Sequence, residues 1–268
     1  MNNITLGQYI PLDSFFHRLD PRSKIVAMFA ILIALFIPTG FIGYAVIGVI
    51  VMACILVAKL SFSYILKSMK PMMFMMVFLL IINVLVIRTG DPLFTVGTFT
   101  IYKDAFIQTG YIVLRLLLMI MTTTLLTATT KPMDMTLGIE DLLAPLEKIK
   151  VPTHDIAMMI ALALRFIPTL IDEAERILKA QSSRGVDFEN GKLKEKITAI
   201  LSLIVPMFVS CFQRADELAD AMEARGYVVG AKRVRYKQLK FKTGDYLVII
   251  GANLILLGMI AIAIWVKP

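Results

Sequence analysis

Residues that bind metals or form covalent cross-links are scarce in this sequence. Its 268 residues include only two cysteines and two histidines. Cys54 and Cys211 are far apart in the chain and neither belongs to a Cys-x-x-Cys motif, so a disulfide framework is not indicated. His17 and His154 are not part of a cluster with metal-ligand spacing. We therefore expect this chain to bind no metal ion and no cofactor of its own.

Catalytic and nucleotide-binding motifs are lacking as well. The sequence contains no G-x-x-x-x-G-K-[ST], so it is not expected to bind ATP through a P-loop. Its apolar segments contain few ionisable residues, chiefly Arg115, and thus offer no acid–base pair for intramembrane hydrolysis. Acidic pairs such as Asp172-Glu173 and Asp216-Glu217 could hold a metal and a diphosphate in a membrane-bound transferase. Because they lie among other charges of a helix face, we expect them to be solvated and the protein not to be an enzyme.

Charged residues are few and unevenly distributed. Only 18% of the residues are charged and 58% are hydrophobic, whereas a soluble domain is nearer a quarter charged. The segment from Lys131 to Lys242 contains 18 of the 28 basic residues and 15 of the 20 acidic ones. The net charge of +8 has a simple cause in a membrane protein, since basic residues are retained on the cytoplasmic side. We therefore expect a lipid bilayer as partner and no nucleic acid.

Several apolar runs are long enough to cross a bilayer as helices of about 20 residues. Pro38-Thr39-Gly40 divides the first of these runs into two. The predicted spans are residues 25–38, 41–58, 71–87, 105–130 and 246–266. Lys59 to Lys70 is predicted to be a basic loop. The expected fold is an all-α polytopic membrane protein with about five transmembrane helices and long cytoplasmic helices. We predict three parts: 1–130 with four spans, 131–244 as a cytoplasmic coupling-helix domain, and 245–268 with the last span.

The basic residues also predict an orientation. They flank the first two spans on one side and fill the segment 131–244, which places the N-terminus in the cytoplasm and the C-terminus outside. Two further apolar stretches, 156–170 and 197–212, either cross the membrane or lie along it. Two additional crossings cancel, so both arrangements leave the termini on the same sides of the membrane. We prefer helices along the inner face, because each stretch continues into a charged helix. Residues 88–104 form a loop in which Phe94-Thr-Val and Phe99-Thr-Ile can pair as a hairpin.

The polar segment contains an internal repeat with an offset of 41 residues. Residues 174–185 read Ala-Glu-Arg-Ile-Leu-Lys-Ala-Gln-Ser-Ser-Arg-Gly, and residues 215–226 read Ala-Asp-Glu-Leu-Ala-Asp-Ala-Met-Glu-Ala-Arg-Gly. One interpretation is that each Arg-Gly simply ends a helix. The other is that Arg184 and Arg225 project from two helix tips into equivalent pockets of a pseudo-symmetric dimeric partner. Arginine suits such a pocket because its planar fork pairs with a carboxylate through two hydrogen bonds.

Three motifs resemble those of one known family. The run Ser14-x-x-His-x-Leu-Asp-Pro-Arg-x-Lys24 resembles the N-terminal signature of energy-coupling factor T subunits, EcfT, with their CbiQ and BioN relatives. Ser-Ser-Arg-Gly at 182–185 and Glu-Ala-Arg-Gly at 223–226 resemble the two arginine-centred motifs of that family. The resemblance covers essentially the whole chain. From the residues alone, we expect the N-terminal run to be structural and to pack against the segment 131–244.

The resemblance implies a scaffold subunit of an ABC-type importer in a bacterial or archaeal cell membrane. Such a subunit ties two cytoplasmic ATPases of the EcfA type, identical or homologous, to a small membrane S component that binds the vitamin or metal ion. ATP and magnesium are then held by the ATPases and not by this chain. The implied ATPase-binding residues are Ser183, Arg184, Gly185, Ala224, Arg225 and Gly226.

A methionine-rich stretch is a candidate surface for the S component. Met72, Met73, Met75 and Met76 form an adaptable apolar surface, although such clusters are more often lipid-facing or core residues. The alternative function is a substrate-carrying transporter subunit. That class would not need a basic segment with paired arginine tips, and it would bind a small ligand in isolation.

Overall fold

A computed structural model describes residues 9–96, 99–149, 152–188, 192–228 and 239–265. The chain divides into two compact units. The first comprises Met1–Asp141 with Leu239–Pro268, and the second comprises Leu142–Gln238. The three-part division expected from composition stays a prediction, because compactness does not test where the chain enters a membrane.

The first unit is a helical bundle with one small hairpin. Its helices are α1 Pro21–Phe36, α2 Gly40–Val57, α3 Phe62–Val86, α4 Lys103–Thr129, α5 Pro132–Leu143, which ends just inside the second unit, and α8 Thr243–Trp265. A short 3-10 turn, Phe16–Arg18, precedes α1. The strands β1 Pro92–Val96 and β2 Phe99–Tyr102 pair in antiparallel fashion, with Thr95 opposite Thr100, as the loop sequence predicts.

The second unit consists mainly of two long helices. A 3-10 helix, Ala144–Ile149, leads into α6 Thr153–Ser183, and α7 Leu193–Ala224 follows. The Thr153 hydroxyl donates to Glu147 Oε1 at 2.8 Å and so joins the 3-10 helix to the start of α6. The carboxylate of Glu195 accepts from the Lys192 backbone N–H at 3.0 Å and so caps the start of α7.

Six helices in the described ranges are long and apolar enough to cross a membrane: α2, α3, α4, α6, α7 and α8. The prediction of an all-α polytopic membrane protein is therefore confirmed. Helix α1 has 16 residues and is shorter than the roughly 20 residues that a helix usually needs to cross a bilayer. Helices α6 and α7 meet both conditions, so their expected position along the membrane surface stays a prediction.

The start of α3 was predicted wrongly. Residues 59–70 were expected to be a basic loop before a span at 71–87, but α3 begins at Phe62 and continues through Pro71. Lysine is a good helix former, and Lys67 and Lys70 are compatible with a helix. Pro71 removes one backbone donor, a loss that helices of membrane proteins tolerate. The turn between α2 and α3 falls instead at Lys59, whose φ is +57°.

The core of the first unit forms where α1 packs on α8 and where α4 packs on α1, α2 and α3. The break between α1 and α2 occurs as predicted, because Gly40 adopts a φ of +69° that other residues rarely take. The largest fully buried side chains of this core are apolar: Leu35, Ile47, Val51, Ile55, Ile65 and Met259.

A buried carboxylate joins the first helix to the last. Asp245, in the first turn of α8, has no solvent exposure. Its Oδ1 accepts from the Asp20 backbone N–H at 2.7 Å and from the Ser23 hydroxyl at 2.9 Å. Its Oδ2 accepts from the Lys242 N–H at 2.7 Å, which also caps α8. Asp20 in turn caps α1 by accepting from the Arg22 N–H at 2.9 Å.

The other residues of the N-terminal run are bonded as well. Lys24, itself buried, donates from Nζ to the Thr129 carbonyl at 3.0 Å, at the negative end of α4. Arg22 pairs with Asp141 at 3.4 Å and lies 4.2 Å from the centre of the Phe241 ring. Both of these partners belong to the segment 131–244. The expectation that the run is structural and packs against that segment is therefore confirmed at the two ends of the segment.

Candidate functional site

The first arginine motif lies at the end of α6. The helix ends at Ser183, Arg184 follows with φ −86°, and Gly185 has φ +88°. The Gly185 N–H donates to the Ser182 carbonyl at 3.0 Å, and the Val186 N–H donates to the Gln181 carbonyl at 3.1 Å. This pair of bonds is a Schellman motif, which requires a residue that tolerates positive φ.

The second arginine motif has the same backbone geometry. Helix α7 ends at Ala224, Arg225 has φ −89°, and Gly226 has φ +75°. The Gly226 N–H donates to the Glu223 carbonyl at 2.8 Å, and the next N–H along the chain donates to the Met222 carbonyl at 2.9 Å. The interpretation of each Arg-Gly as a helix stop is therefore confirmed, and the stop is of one type at both ends.

Both guanidinium groups are available to a partner. Arg184 and Arg225 are exposed, and among the described residues neither has an ion pair or a side-chain hydrogen bond. No described atom comes within 4 Å of the position that a Cβ would take on Gly185 or Gly226. The glycines are thus needed for their φ and not for close packing within this part of the chain.

The serine before Arg184, where the other motif has alanine, makes no difference to the tip. Its hydroxyl donates to the Lys179 carbonyl one turn earlier, at 3.0 Å. Lys179 also pairs with Glu175 at 3.1 Å on the solvent-exposed side of α6. The polar group that distinguishes the two motifs therefore points back along its own helix.

The two helices meet at equivalent positions of the repeat. Arg214 of α7 donates to Glu173 of α6 at 3.2 Å, and these two residues are separated by the 41-residue offset of the repeat. Arg184 lies 11 residues beyond Glu173, and Arg225 lies 11 residues beyond Arg214. At a rise of 1.5 Å per residue, each arginine is about 16 Å of helix from this contact.

The two tips point in opposite directions along the helix pair. Gly185–Asp187, just after α6, share a depression with Thr198, Ala199 and Ser202 of α7. Helices α6 and α7 therefore run antiparallel to each other. The end of α7 accordingly lies on the far side of the contact between Glu173 and Arg214. About 33 Å of helix axis separates the two arginines.

The acidic residues considered for a transferase have another use. Glu173, from one of the two acidic pairs, forms the ion pair with Arg214 and is only 23% exposed in its side chain. Among the described residues there is no group of three or more His, Cys, Asp or Glu side chains arranged to hold a metal.

The predicted methionine surface lies on α3 in the first unit. Met73 and Met75 are exposed, at 61% and 43%, whereas Met72 and Met76 are half-buried one turn apart on the other side of the helix. The four residues therefore do not form one surface. The apolar residues of α3 are not covered by other described residues, and Phe74, for example, is 82% exposed.

Two contacts were not predicted from the sequence, one in the first unit and one between α6 and α7. Asp245 gave no local signal, since its partners Asp20 and Ser23 are more than 200 residues away. The ion pair of Glu173 and Arg214 did have a signal. Extending the repeat by one residue toward the N-terminus aligns these two opposite charges at the 41-residue offset.

The fold and the site together define a class: a polytopic membrane protein that presents two equivalent arginine-tipped helix ends. The sequence profile of the CbiQ family, described as cobalt transport protein, matches residues 13–236. The chain belongs to this family, which includes the EcfT transmembrane proteins, as its N-terminal and arginine motifs predict.

Relatives from several bacteria match nearly the whole chain. The energy-coupling factor transporter transmembrane protein EcfT of Bacillus subtilis (strain 168) is 41% identical over 251 residues, which is 94% of this chain and 95% of the relative. EcfT of Clostridium kluyveri is 43% identical over 99% of this chain and 98% of its own length. EcfT of Lactococcus lactis subsp. cremoris is 40% identical over 100% and 99%.

Proposed function

We propose that this chain, as the transmembrane component of an energy-coupling factor transporter, joins two cytoplasmic ABC ATPases to a membrane S component. In this proposal the S component binds a vitamin or a metal ion, and the ATPases bind ATP and magnesium. The N-terminus and the second unit face the cytoplasm, where the ATPases are. The chain itself transmits movement and performs no chemistry.

The observation that carries this proposal is the equivalence of the two arginine ends. They share one backbone motif, they lie 11 residues from the contact between Glu173 and Arg214, and they point in opposite directions. Such ends are related by an approximate two-fold axis, which passes near that contact. A dimer of ATPases also has a two-fold axis and offers two equivalent grooves. One arginine would then enter each groove and pair with a carboxylate through two hydrogen bonds.

The antiparallel helix pair suits the transmission of movement. Each helix has an internal proline, Pro168 in α6 and Pro206 in α7, and runs without another proline from there to its tip. Displacement of a tip therefore carries at least that part of its helix with it. When ATP draws the two ATPases together, both tips move toward the axis, and the contact between Glu173 and Arg214 is the natural pivot. The apolar first halves of α6 and α7, which include the exposed Met159 and Phe208, would pass this movement to the membrane partner.

The exposed side of α3 is the surface that we propose for the S component. Met73 and Met75 are exposed there together with Phe74. Methionine is unbranched and adapts to different partners, which suits a subunit that accepts more than one S component. Met72 and Met76 are half-buried and would support this surface from behind.

The test is co-purification of the ATPases with the full-length chain from native membranes. Arg184→Ala and Arg225→Ala should each lower ATPase recovery, by about tenfold if a charge-assisted pair is lost. The double variant should recover none. Arg176→Ala is the matched control, because Arg176 is an exposed arginine eight residues before Arg184 on the same helix. Full ATPase recovery by the double variant, or binding of a small substrate by the chain alone, would contradict the proposal.

A further inference from the structure

An open apolar groove runs between α2 and α4 in the first unit. Its volume is about 840 Å³, and along α2 it extends from Phe41 to Leu56. Those 16 residues span about 22 Å of helix. Gly48, which has no side chain, and Ala53, which has only a methyl group, line it and keep it open. Both helices are apolar enough to cross a membrane, so the groove lies at the depth of lipid chains.

The relative direction of α2 and α4 shows which end of the groove is polar. A Cβ built on Gly110 would lie 3.8 Å from the Phe41 ring, and one built on Gly48 would lie 3.6 Å from Leu118. Helices α2 and α4 therefore run in the same direction. Arg115 of α4 consequently lies beside Tyr44, about one turn inside the start of α2.

Arg115 is bonded to a phenol and to no carboxylate among the described residues. Its Nε and Nη2 both donate to Tyr44 Oη, at 3.0 and 2.8 Å. The Phe36 ring lies 5.5 Å away and adds a cation–π contact. Neither contact neutralises the guanidinium charge, and a charged side chain within a membrane helix is costly without a counter-ion. The side chain is half-exposed, so an anion from outside the chain can reach it.

Aromatic side chains mark the same end as the level of the lipid headgroups. Phe41 stacks on Tyr111 with ring centroids 4.1 Å apart, and Tyr44 lies 6.1 Å from Tyr111. Aromatic residues concentrate at the two interfaces of a membrane. Along the rest of the groove the lining is apolar, as lipid chains require.

We propose that this groove binds one anionic phospholipid, with its phosphate at Arg115 and an acyl chain along α2. Arginine is the side chain whose fork best matches phosphate oxygens. A guanidinium that no described carboxylate neutralises, at one end of an apolar groove, matches a phosphate with its acyl chain. The apolar face of a partner helix would offer Arg115 no anion. The site is independent of the arginine tips and of the proposed coupling.

Native mass spectrometry of the assembled transporter and of the isolated chain tests this site. The probes are phosphatidylglycerol and phosphatidylcholine, supplied in equal amounts in detergent. Wild type should retain one phosphatidylglycerol, with about tenfold preference over phosphatidylcholine, and Arg115→Gln should lose that preference. Arg88→Gln is the matched control, because Arg88 is an exposed arginine after α3, whereas Arg115 is bonded to the groove residue Tyr44. It should bind lipid as wild type does.

A second variant keeps the guanidinium and its bonds intact. Ala53→Leu fills the groove away from Arg115 and should also lower phosphatidylglycerol retention. Glycerol phosphate, which has the anion without the chains, should not compete. Equal retention of phosphatidylglycerol by wild type, Arg115→Gln and Ala53→Leu would overturn the proposal. So would retention by the isolated chain with loss in the assembled transporter, because a protein partner would then occupy the groove.

Discussion

Two sets of basic side chains, one in each compact unit, are used in opposite ways. In the first unit Lys24 is buried and donates to a backbone carbonyl, and Arg22 pairs with Asp20 and Asp141. In the second unit Arg184 and Arg225 are exposed and have no ion pair within the described ranges. The first set is satisfied by the chain itself, and the second is left for another molecule.

The difference follows from where each charge is solvated. Within an apolar bundle, a polar group without a partner costs about 1–3 kcal/mol or more, and a charge costs further. Water satisfies an exposed guanidinium, so an intramolecular partner would add little stability. An arginine that is exposed, placed at a rigid helix end and unpaired can give most of its binding energy to a partner. A buried, partnered basic residue thus indicates structure here, whereas an unpartnered arginine at a rigid helix end is a candidate site for a partner.

The largest effect on stability should come from the buried carboxylate. Asp245→Asn replaces a charged acceptor of three hydrogen bonds by an amide with one acceptor oxygen. We expect the free energy of unfolding to fall by about 2–4 kcal/mol. Asp91→Asn, at an exposed position, should change it by less than about 0.5 kcal/mol. Denaturant titration of both variants in micelles measures the difference. If both variants lost the same free energy of unfolding, burial would not explain the contribution of Asp245 to stability.

The arginine tips should show the reverse pattern, with function lost and stability kept. Arg184→Lys with Arg225→Lys retains both charges but cannot form two-pronged pairs with a carboxylate. We expect ATPase affinity between those of wild type and the double alanine variant, which loses about 100-fold. The unfolding free energy of both variants should stay within about 0.5 kcal/mol of wild type. Lysine variants that bind as wild type would show that charge alone suffices.

Much of this arrangement can be predicted from local sequence. Asp20-Pro21 marks the start of α1, Gly40 marks the break before α2, and each Arg-Gly marks a helix end. These signals work because caps and positive φ depend on a few adjacent residues. The repeat also predicted that the two tips would be alike, and their backbone angles agree within about 15°.

The rest depends on contacts between distant parts of the chain. Asp245 contacts residues at the other end of the sequence, and the bond between Arg115 and Tyr44 joins two residues that are 71 positions apart. No local pattern specifies such pairs. The start of α3 was missed for another reason: the lysines between Lys59 and Lys70 indicated a loop, although lysine is a good helix former.

A smaller effect is expected at the glycines that end the two helices. Gly185→Ala places a side chain at φ +88°, which costs about 1 kcal/mol although nearby space is open. Gly251→Ala is the matched control, since it too has open space but lies inside α8. It should stabilise the protein by about 0.5–1 kcal/mol. Opposite signs in thermal unfolding would assign the effect to φ, whereas equal signs would contradict that assignment.

The smallest effect should come from the ion pair between α6 and α7. Glu173 and Arg214 are partly exposed, at 23% and 36%, so a double-mutant cycle should give a coupling energy of about 0.5–1 kcal/mol. The charge-swapped pair, Glu173→Arg with Arg214→Glu, should recover most of the stability that either single change loses. If this contact is the pivot, each single variant should still bind the ATPases yet transport less per ATP hydrolysed. Normal transport in the single variants would mean that apolar packing, and not this pair, holds the two helices together.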